Sequence, residues 1–472
     1  MENSVAEPAV TLSGAADSEL ATFAAPVFRP GEDGYVREVS GFQTADRHRP
    51  AVVVVARNTE DVRVAVDFAA RHGLPVAVQA TGHGLSVAAD RGVLISTRLL
   101  TDIAIDPAGA RARIGAGVRA GDLVAAAARY GLAPLNGSSP SVGVVGYVLG
   151  GGIGLLARAY GYAADHVRAF DLVTADGRVR TVRPGADLFG AVLGSGGNFG
   201  VVTAMELDLV PVTGVYGGQL VFDTPLVPRT LAAWREWTTM VPDSVTSTVA
   251  MLDFPAVPAV PEPLRGRFAA SIRLAFDGDV REGERLVAPL RAIGTPLRDD
   301  LRAMPYTESH TIHSDPDHPH AYAATNALLD DLPPDALAAL LEVAGPDAGY
   351  SAVIDIRHLG GALRGPGRTD LALGHRTAGY VVRVITAPEP GAEPGAPVRA
   401  ALAPWTVGHS LAFLYGAGHA AGDAQTRGGY RAATFTRLAG LKAKYDPGNM
   451  FRFNRNIAPA GRAGVTSDAR AR

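Results

Sequence analysis

Cysteine is absent from the 472-residue chain. Disulfide bonds, thiolate nucleophiles and zinc sites with thiolate ligands are therefore excluded. Lysine is nearly absent, since Lys442 and Lys444 are the only two among 44 basic residues. The formal net charge is -3 and no run of basic residues occurs, so neither a nucleic-acid-binding surface nor a polybasic membrane patch is predicted. These absences favour a protein that acts on small molecules.

Long apolar runs are also missing. No stretch approaches the ~18 uninterrupted apolar residues that a membrane-spanning helix needs, and residues 1–26 lack the basic start and apolar core of a secretory signal. No Gly-x-Ser-x-Gly elbow and no Walker phosphate-binding loop occurs, and these are the usual signatures of many hydrolases and of NTPases. We expect a cytoplasmic monomer or homodimer without nucleic-acid or membrane partners.

The chain does contain enough apolar sequence, 47 %, for two domains. Strand and helix patterns alternate in the first part, whereas longer strands, such as those predicted at 267–277 and 351–362, are typical of the second. We predict a partly ordered lead-in at 1–45, a first domain at 46–211, a second domain at 212–429, and a C-terminal segment at 430–472 with a helix that ends at Asp446-Pro447-Gly448.

A glycine-flanked turn follows two strands of the first domain. The β-branched run at 50–56 predicts a buried strand, and the next segment, 59–73, predicts a helix with Thr59 as its N-cap. A second strand at 74–80 leads into the turn ATGHGLS at 80–86. Neither a helix nor a strand needs the histidine of this turn, His83. It is therefore a candidate functional residue, although it can also be an ordinary polar turn residue.

Two further glycine-rich stretches are suited to an anionic ligand. Glycines let backbone N–H groups approach an anion closely, and residues 136–161 and 194–211 are both rich in them. Within the first, Gly152-x-Gly154-x-x-Ala157 matches the nicotinamide-dinucleotide fingerprint, which makes a Rossmann-type dehydrogenase an alternative. That fingerprint should follow a clean strand at the start of a domain, and here it does not. The second stretch can instead be a tight turn with close packing.

A histidine-rich segment raises the question of a metal site. Prolines interrupt it and its histidines lack the i, i+4 spacing of a helix, which favours a solvated loop, and no metal is expected. The residues concerned are His310, His313, His318 and His320 with Asp315 and Asp317.

Five segments taken in order are more specific than any single glycine pattern. They are residues 49–86, 112–124, 139–167, 194–211 and 442–457. In this order they closely resemble the berberine bridge enzyme-like flavoprotein oxidases, whose fold is the PCMH type of the vanillyl-alcohol oxidase superfamily. The resemblance spans nearly the whole chain. It implies an α+β protein with a PCMH-type FAD-binding domain of two α/β subdomains, and a substrate domain with an antiparallel sheet covered by helices.

The resemblance also implies FAD as the cofactor. In the family, the counterparts of 80–86 and 137–154 wrap the pyrophosphate, those of 200–202 contact the adenosine half, and the C-terminal segment returns to the FAD domain. The predicted cofactor-binding residues are Ala80, Thr81, Gly82, His83, Gly84, Leu85, Ser86, Ser139, Ser141, Val142, Gly143, Val145, Gly146, Tyr147, Gly150, Gly151, Gly152, Gly154, Gly200, Val201, Val202, Asn454 and Asn456.

The turn histidine is explained by the same resemblance. The family's histidine at this place corresponds to His83 and is bonded to the 8α-methyl group of the isoalloxazine. Such a nucleophile needs a neutral imidazole that is held rigidly. Many members carry a second link from a cysteine, and the residue at that place here is Ser139. We therefore expect FAD to be attached through His83 only.

Three positions, compared with the family pattern, bear on the reaction. Val142 stands where members tend to have a small aliphatic residue when dioxygen reaches the flavin, which favours an oxidase. Tyr147 replaces a common histidine near the ribityl and N1 region, where its hydroxyl can donate a hydrogen bond to the reduced ring. Phe413 takes the place of the usual active-site tyrosine, so Tyr415 is the predicted catalytic base. The reserve candidates are Tyr380, Glu308 and His358, each of which also has a purely structural interpretation.

The predicted reaction is an oxidation of a small molecule, a secondary metabolite or a sugar. A base removes a hydroxyl or amine proton, hydride leaves the adjacent carbon, and dioxygen is reduced to hydrogen peroxide. An alternative keeps the fold and the flavin but catalyses a cyclisation or rearrangement without net redox change. The NAD-dependent dehydrogenase is a third possibility.

Overall fold

The computed structural model describes residues 12–365, 371–389, 392–416 and 422–461. The predicted lead-in and C-terminal segment thus lie partly outside the described residues, at 1–11 and 462–472. The described part has a mixed α+β architecture with three sheets, which confirms the predicted fold class. The predicted boundaries between the four parts of the chain stay predictions.

The first sheet is small and mostly parallel. Its strands are β1 (Val27–Phe28), β2 (Val52–Val55), β3 (Val76–Gln79) and β4 (Val93–Ser96). Their order is β1-β2-β4-β3, and only β1 pairs antiparallel with its neighbour. All four valines of β2 are buried, as the β-branched run predicts, because a parallel strand is covered on both faces.

Helices flank this sheet. They are α1 (Gly14–Leu20), α2 (Tyr35–Val39) and α3 (Thr59–Arg71). Helix α3 buries Val62, Val66 and Phe68 against the core, as its helical spacing predicts. The predicted cap is wrong by one residue. Asn58 keeps an extended backbone, and its Oδ1 accepts a hydrogen bond from Asp61 N at 2.9 Å, so Thr59 is already helical.

The second sheet is antiparallel throughout. Its strands are β5 (Ile103–Asp106), β6 (Arg111–Gly115), β7 (Val167–Val173), β8 (Val179–Val182) and β9 (Val201–Asp208), in the order β5-β6-β9-β7-β8. The helices of this part are α4 (Ala120–Ala128), α5 (Val144–Leu149), α6 (Ala157–Tyr160) and α7 (Asp187–Val192). Residues of both sheets share one apolar core cluster, so the first two sheets pack together.

The third sheet has nine antiparallel strands. They are β10 (Gly214–Asp223), β11 (Val245–Asp253), β12 (Phe268–Phe276), β13 (Arg298–Asp299), β14 (Arg302–Pro305), β15 (Ala323–Leu329), β16 (Val353–His358), β17 (Tyr380–Thr386) and β18 (Thr406–Gly408). The order is β13-β10-β12-β11-β16-β17-β15-β18, with β14 paired to β10. The strands predicted at 267–277 and 351–362 correspond to β12 and β16.

The two faces of the third sheet differ in polarity. Helices α8 (Val227–Thr238), α9 (Val280–Arg291), α10 (Pro334–Ala344) and α11 (Ala396–Leu402) cover one face, where Trp234 packs in one apolar cluster with Ile272 and Ile356. Successive strand residues point to opposite faces. Arg273 and Arg357, which follow those isoleucines, therefore lie on the opposite face. Arg357 there donates to Ile153 O at 2.9 Å, between α5 and α6.

The C-terminal segment returns to the first two sheets. It contains α12 (Asp423–Gly428) and α13 (Ala432–Tyr445), and α13 ends at Asp446-Pro447-Gly448 as predicted. Lys442 is fully buried and donates to Asp446 Oδ2 at 2.7 Å, to Phe451 O at 2.9 Å, and to Asn198 O. Burial lowers the pKa of Lys442 to about 8, although Asp446 opposes this shift. The lysine thus ties the segment to the loop at 194–200.

Arg158 of α6 joins the third sheet to the rest of the protein. Its side chain is 5 % exposed and donates to Val245 O, to Asp243 Oδ1 and to His358 Nε2, each at 2.8 Å, and to Leu359 O. All of these partners belong to the third sheet or to its connections. A buried guanidinium with each of its nitrogen atoms hydrogen-bonded fixes the orientation of the sheet relative to α6.

Candidate active site

The turn that carries His83 follows directly after β3. Gly82 has φ +73°, and a Cβ at this residue would lie 2.5 Å from Gly41 Cα, so the turn requires a glycine there. His83 Nδ1 lies 2.9 Å from Thr81 Oγ1, and its Nε2 lies 3.0 Å from Ser141 Oγ. Phe42 stacks on the imidazole with 3.8 Å between ring centroids. The ring is therefore held on both edges and on one face.

The surroundings of His83 keep its imidazole neutral. Burial lowers the pKa of His83 to about 4, and the positive charge of Arg119 adds to this shift. The Tyr322 hydroxyl donates to His83 O at 2.6 Å, which holds the backbone of the turn as well. A rigid, neutral imidazole is what a nucleophilic histidine requires.

The predicted cofactor loops lie next to one another. Thr81 Oγ1 accepts from Gly143 N at 3.2 Å, which links the turn at 80–86 to the loop at 137–154. Gly194 N donates to Leu149 O at 2.8 Å and brings in the third loop. Asn198 then binds the C-terminal segment, because its Oδ1 accepts from Ile457 N at 2.9 Å. Four segments that are distant in sequence thus form one continuous surface.

This surface has features that fit a large cofactor. A Cβ built on Gly84 or on Gly146 would meet no atom within 4 Å, so both glycines border open space. Asn454 and Asn456 each carry a buried Oδ1 without a hydrogen-bond partner among the described residues. Buried acceptors of this kind are normally satisfied, which indicates a missing donor. The four loops therefore fit FAD, whose hydroxyl and amino groups are hydrogen-bond donors.

Other predicted glycines are explained by packing within the protein. A Cβ on Gly154 would lie 2.3 Å from Asn136 O, and one on Gly200 would lie 2.4 Å from Val173 O. A Cβ on Gly152 would lie 2.7 Å from the Tyr147 ring. The segment that holds Gly152 and Gly154 follows helix α5 and not a strand, so the dinucleotide fingerprint lacks its structural context and the Rossmann alternative is wrong.

The remaining predicted cofactor-binding residues differ in how far their side chains are buried. Val145, Val201 and Val202 bury their side chains in the core, so only their main chains can face a ligand. The other side chains are half-buried along the loops, and these residues are Ala80, Leu85, Ser86, Ser139 and Val142. The other predicted cofactor-binding glycines of the segment after Ser141 are Gly143, Gly150 and Gly151.

Tyr147 lies on α5, within the predicted cofactor segment at 137–154. Its hydroxyl is buried and has no hydrogen-bond partner among the described residues, and burial raises its pKa above the usual value. Tyr147 and Val142 both line a small cavity, together with Asn136 and His166. The Tyr147 hydroxyl is thus a free donor beside the predicted cofactor surface.

Tyr415 lies beside the His83 turn. Its backbone pairs with Ala324, and the next residue, Gly416, donates from its N–H to Leu85 O at 3.0 Å. Arg383 Nη2 donates to the Tyr415 hydroxyl at 3.2 Å. Tyr322, which binds His83 O, also contacts Tyr415 edge-on, with ring centroids 5.5 Å apart. The candidate base and the candidate attachment residue are therefore close together, with Tyr322 in contact with both.

Four charged residues beside Tyr415 were not predicted from the sequence. Arg383 Nη1 lies 3.2 Å from Asp355 Oδ2 and stacks over the Phe413 ring at 4.6 Å, while Arg357 and Arg273 lie further along the same sheet face. The available signal was alternation in β16, where Asp355 and Arg357 are separated by one apolar residue, while β12 and β17 each carry a single charged residue, Arg273 and Arg383. In a strand that is covered on its other face, such positions indicate a polar cavity.

The three reserve candidates have structural partners elsewhere. Tyr380 is hydrogen-bonded to Thr238 Oγ1 at 2.7 Å beneath the helices, and Glu308 is paired with Arg302 at 2.8 Å on the surface. His358 accepts from Arg158, and burial lowers its pKa to about 3. Their purely structural interpretations therefore account for their positions.

The histidine-rich segment is only partly solvated. His310 and His318 are exposed, but His313 is buried behind the third sheet, because it follows a 3-10 helix (Tyr306–Ile312) that packs on β10. The solvated-loop prediction is therefore wrong for His313. Within the described residues, no group of three or more His, Asp or Glu side chains is arranged to hold a metal ion.

The described helices include none that is both long enough and apolar enough to cross a membrane. Two family profiles match the chain. A profile described as FAD binding domain matches residues 50–183, and one described as Berberine and berberine like matches residues 427–458. The first range contains the turn at 80–86 and the loop at 137–154, and the second contains α13 and the two candidate asparagines.

Known proteins are also similar to this chain over nearly its whole length. (R)-6-hydroxynicotine oxidase of Paenarthrobacter nicotinovorans is 30 % identical over 472 residues, covering 92 % of this chain and 97 % of that protein. The crystal structure of 6-hydroxy-D-nicotine oxidase from Arthrobacter nicotinovorans superposes with a TM-score of 0.77 at 27 % identity, over 95 % of this chain and 99 % of that one. The fold is also that of glucooligosaccharide oxidase from Acremonium strictum, with a TM-score of 0.82 at 19 % identity over 94 % and 99 % of the two chains.

Proposed function

This chain belongs to the berberine bridge enzyme-like family of FAD-linked oxidoreductases, and on that premise we propose that it is an oxidase of an alcohol or amine carbon in a small molecule. The observation that carries this proposal is the proximity of His83 and Tyr415, since Tyr322 is in contact with both residues. The relatives described above are named as oxidases of a hydroxynicotine and of glucooligosaccharides, which supports the same class of reaction.

FAD is held, in this proposal, by residues 46–211 and the C-terminal segment, while residues 212–429 bind the substrate. When bound, FAD supplies the hydride acceptor and passes the electrons to dioxygen, which yields hydrogen peroxide. The open space at Gly84 and Gly146 and the unpaired oxygens of Asn454 and Asn456 support this placement. Val142, a small side chain that borders a cavity, supports access of dioxygen.

His83 is the proposed point of covalent attachment. Its low pKa leaves a lone pair on the ring, and Thr81, Ser141 and Phe42 fix the direction of that ring. The Acremonium enzyme is described with both a cysteinyl and a histidyl link to FAD. Ser139 lies 3.0 Å from Ser141 Oγ and offers a hydroxyl, not a thiolate, so attachment here is through His83 only.

Tyr415 is the proposed base. A tyrosine that takes a proton from a substrate must act as a phenolate, and a guanidinium that donates to its oxygen stabilises that negative charge. Arg383 makes this contact, and Asp355 orients Arg383 from the neighbouring strand. In this proposal Asp355 orients Arg383, Arg383 stabilises the negative charge on the Tyr415 oxygen, and that oxygen accepts the substrate proton.

Oxygen consumption tests the proposed reaction. Anaerobic mixing of the purified protein with alcohols and amines that are substrates should bleach the yellow flavin absorbance. Admission of oxygen should then restore it and produce one hydrogen peroxide for each product molecule. Product that forms under anaerobic conditions while the flavin stays oxidised would favour the redox-neutral alternative. A colourless protein would contradict both.

A separate experiment tests the attachment. In the unaltered protein, flavin should remain with the acid-precipitated polypeptide, and the intact mass should include one FAD. The His83→Ala variant should release its flavin into the supernatant, with His313→Ala as a control that keeps the flavin bound. Equal release from the unaltered protein and the His83 variant would show that the attachment assignment is wrong.

A further inference from the structure

The polar face of the third sheet carries three arginines in two adjacent rows. In the strand ladder, Thr248 of β11 is paired with Arg273 of β12 and with Arg357 of β16. In the next row, Asp355 of β16 is paired with Arg383 of β17. Residues i and i+2 of a strand share a face, so these five side chains project toward the same space.

The three arginines are unequally paired. Arg383 lies 3.2 Å from Asp355 Oδ2, and Arg357 lies 3.9 Å from the same oxygen. Among the described residues, Arg273 has no ion pair, and its buried Nε has no hydrogen-bond partner. A partly buried guanidinium without a counterion destabilises the folded state. Sites that carry such a cost are typical of ligand-binding surfaces.

Arg273 and Arg357 line the same cavity. It is small and lies between the third sheet and the loop that contains Ser138 and Gly154. Thr248 lies between the two arginines in this cavity, and its buried hydroxyl has no hydrogen-bond partner among the described residues. The cavity therefore has two guanidinium groups and one hydroxyl available for a ligand.

Nearby acidic groups do not neutralise this charge. Asp355 is shared by Arg357 and Arg383, and Asp315 on the rim accepts a hydrogen bond from the Ser138 hydroxyl. His313 also lines the cavity, and burial lowers its pKa, so it is neutral. The three guanidinium groups thus face two carboxylates, which leaves one positive charge.

Building on the proposed oxidase function, we propose that the substrate carries one carboxylate group, which Arg273 and Arg357 bind in this cavity. A guanidinium fork matches the geometry of a carboxylate, and Thr248 can donate a further hydrogen bond. A single uncompensated charge fits a carboxylate better than a phosphate dianion. Arg383 lies on β17, one strand beyond Arg357, and its guanidinium donates to the Tyr415 hydroxyl. The carboxylate is therefore at least one strand spacing, roughly 5 Å, from the group that is oxidised.

Matched ligands test the charge requirement. The flavin-containing protein is titrated with unbranched and phenyl-substituted monocarboxylates, with their primary amides, and with alkyl phosphates of the same lengths. Binding is measured by the change in flavin absorbance and by the shift in melting temperature. The best carboxylate should bind at least roughly tenfold more tightly than its amide. Equal binding of the amides, or tighter binding of the phosphates, overturns the proposal.

Variants test the two arginines. Arg273→Met should weaken carboxylate binding by roughly 10- to 100-fold without lowering the melting temperature, because it removes an unpaired charge. Arg273→Lys, which keeps the charge and loses the fork, should bind with intermediate affinity. Arg302→Met is the control, since Arg302 lies exposed on β14 and is paired with Glu308. Equal carboxylate binding by the Arg273→Met and Arg302→Met variants overturns the assignment.

The results also separate this inference from the proposed function. A protein that consumes no oxygen but still shows a carboxylate-dependent shift in melting temperature contradicts only the oxidase reaction. A yellow, oxygen-consuming enzyme that prefers amides contradicts only the substrate class.

Discussion

Among single side chains, two titratable groups define the chemistry that the candidate site can perform. His83 is neutral because it is buried near Arg119, and Tyr415 has a guanidinium donor in Arg383. The first condition suits a nucleophile, and the second suits a base. Both depend on neighbours that are remote in sequence, so substitutions at these two residues should affect different steps.

Loss of the Tyr415 hydroxyl should slow the chemical step. Tyr415→Phe should lower the rate of anaerobic flavin reduction by substrate by roughly 100- to 10,000-fold, because general-base catalysis contributes about that much. Flavin content should stay unchanged. Tyr380→Phe is the matched control, since that hydroxyl bonds to Thr238 beneath the helices and its loss should leave the rate unaltered. A Tyr415 variant that reduces the flavin at the normal rate would exclude this tyrosine as the base.

His48 should make the fold sensitive to acid. Its Nδ1 accepts from Ala89 N at 2.9 Å, and burial lowers its pKa to about 4. Below about pH 6.5 the unfolded chain takes up a proton that the folded chain does not bind, so stability falls as the pH drops from about 6.5 to about 4, by at most about 1.4 kcal/mol per pH unit.

The variant His48→Gln keeps an acceptor for Ala89 N and does not titrate. Its free energy of unfolding, measured by urea titration, should therefore depend less steeply on pH between about 4 and 6.5. Above pH 7 the difference between the two proteins should be constant, which serves as the internal control. Parallel pH profiles over the whole range would contradict a neutral His48.

In the secondary-structure elements and loops, glycine has two distinct uses. Gly154 and Gly200 allow close packing of the backbone, whereas Gly84 and Gly146 border open space. The glycine pattern alone does not separate these uses, because both produce the same residue. The two uses are distinguished by the atoms that a Cβ added at each glycine would contact.

Two helix glycines provide a matched test. Gly146 lies in α5 and Gly440 in α13, and both are exposed with no atom within 4 Å of a Cβ. Glycine in a helix costs about 0.5–1 kcal/mol relative to alanine, so Gly146→Ala and Gly440→Ala should both stabilise the flavin-free protein against urea. Only Gly146→Ala should reduce the flavin content, because its methyl group enters the cofactor surface. Full flavin content in the Gly146 variant would exclude that loop from the cofactor site.

In the whole molecule, Arg158 determines how the third sheet packs against the first two sheets and the predicted cofactor surface. Its partners are two carbonyl groups, His358 and Asp243, and it is 4 % exposed. The polar face with Arg383 can meet the His83 turn only while this contact holds. Loss of Arg158 should therefore affect stability and activity together.

Arg158→Met should destabilise the protein by about 1–3 kcal/mol, since two buried carbonyl groups and His358 would lose their hydrogen-bond donor. Scanning calorimetry should show a lower melting temperature, with a separate transition for the third-sheet region. Asp243→Asn is the control, because the Asp243 side chain is 65 % exposed and its contact with Arg158 contributes at most about 1 kcal/mol. Similar losses in both variants would contradict a central role for the buried arginine.

Local patterns predicted several elements well. The valine run predicted β2, the helical spacing predicted α3, and the Asp446-Pro447-Gly448 sequence predicted the end of α13. The errors are also local. Asn58 and Thr59 are both good caps, so the sequence does not choose between them, and His313 was assigned to a solvated loop because its burial depends on β10.

The sequence by itself predicted the α+β fold, the FAD cofactor and the family. The signals were strand and helix periodicity, a histidine in a glycine-flanked turn, and five motifs in a fixed order. Only the tertiary structure brought Arg273, Arg357, Arg383 and Asp355 onto one face beside Tyr415. The physical reason is that strand pairing brings together residues as distant in sequence as Thr248 and Arg357, and charged side chains acquire their partners and their unpaired charge only when those strands meet.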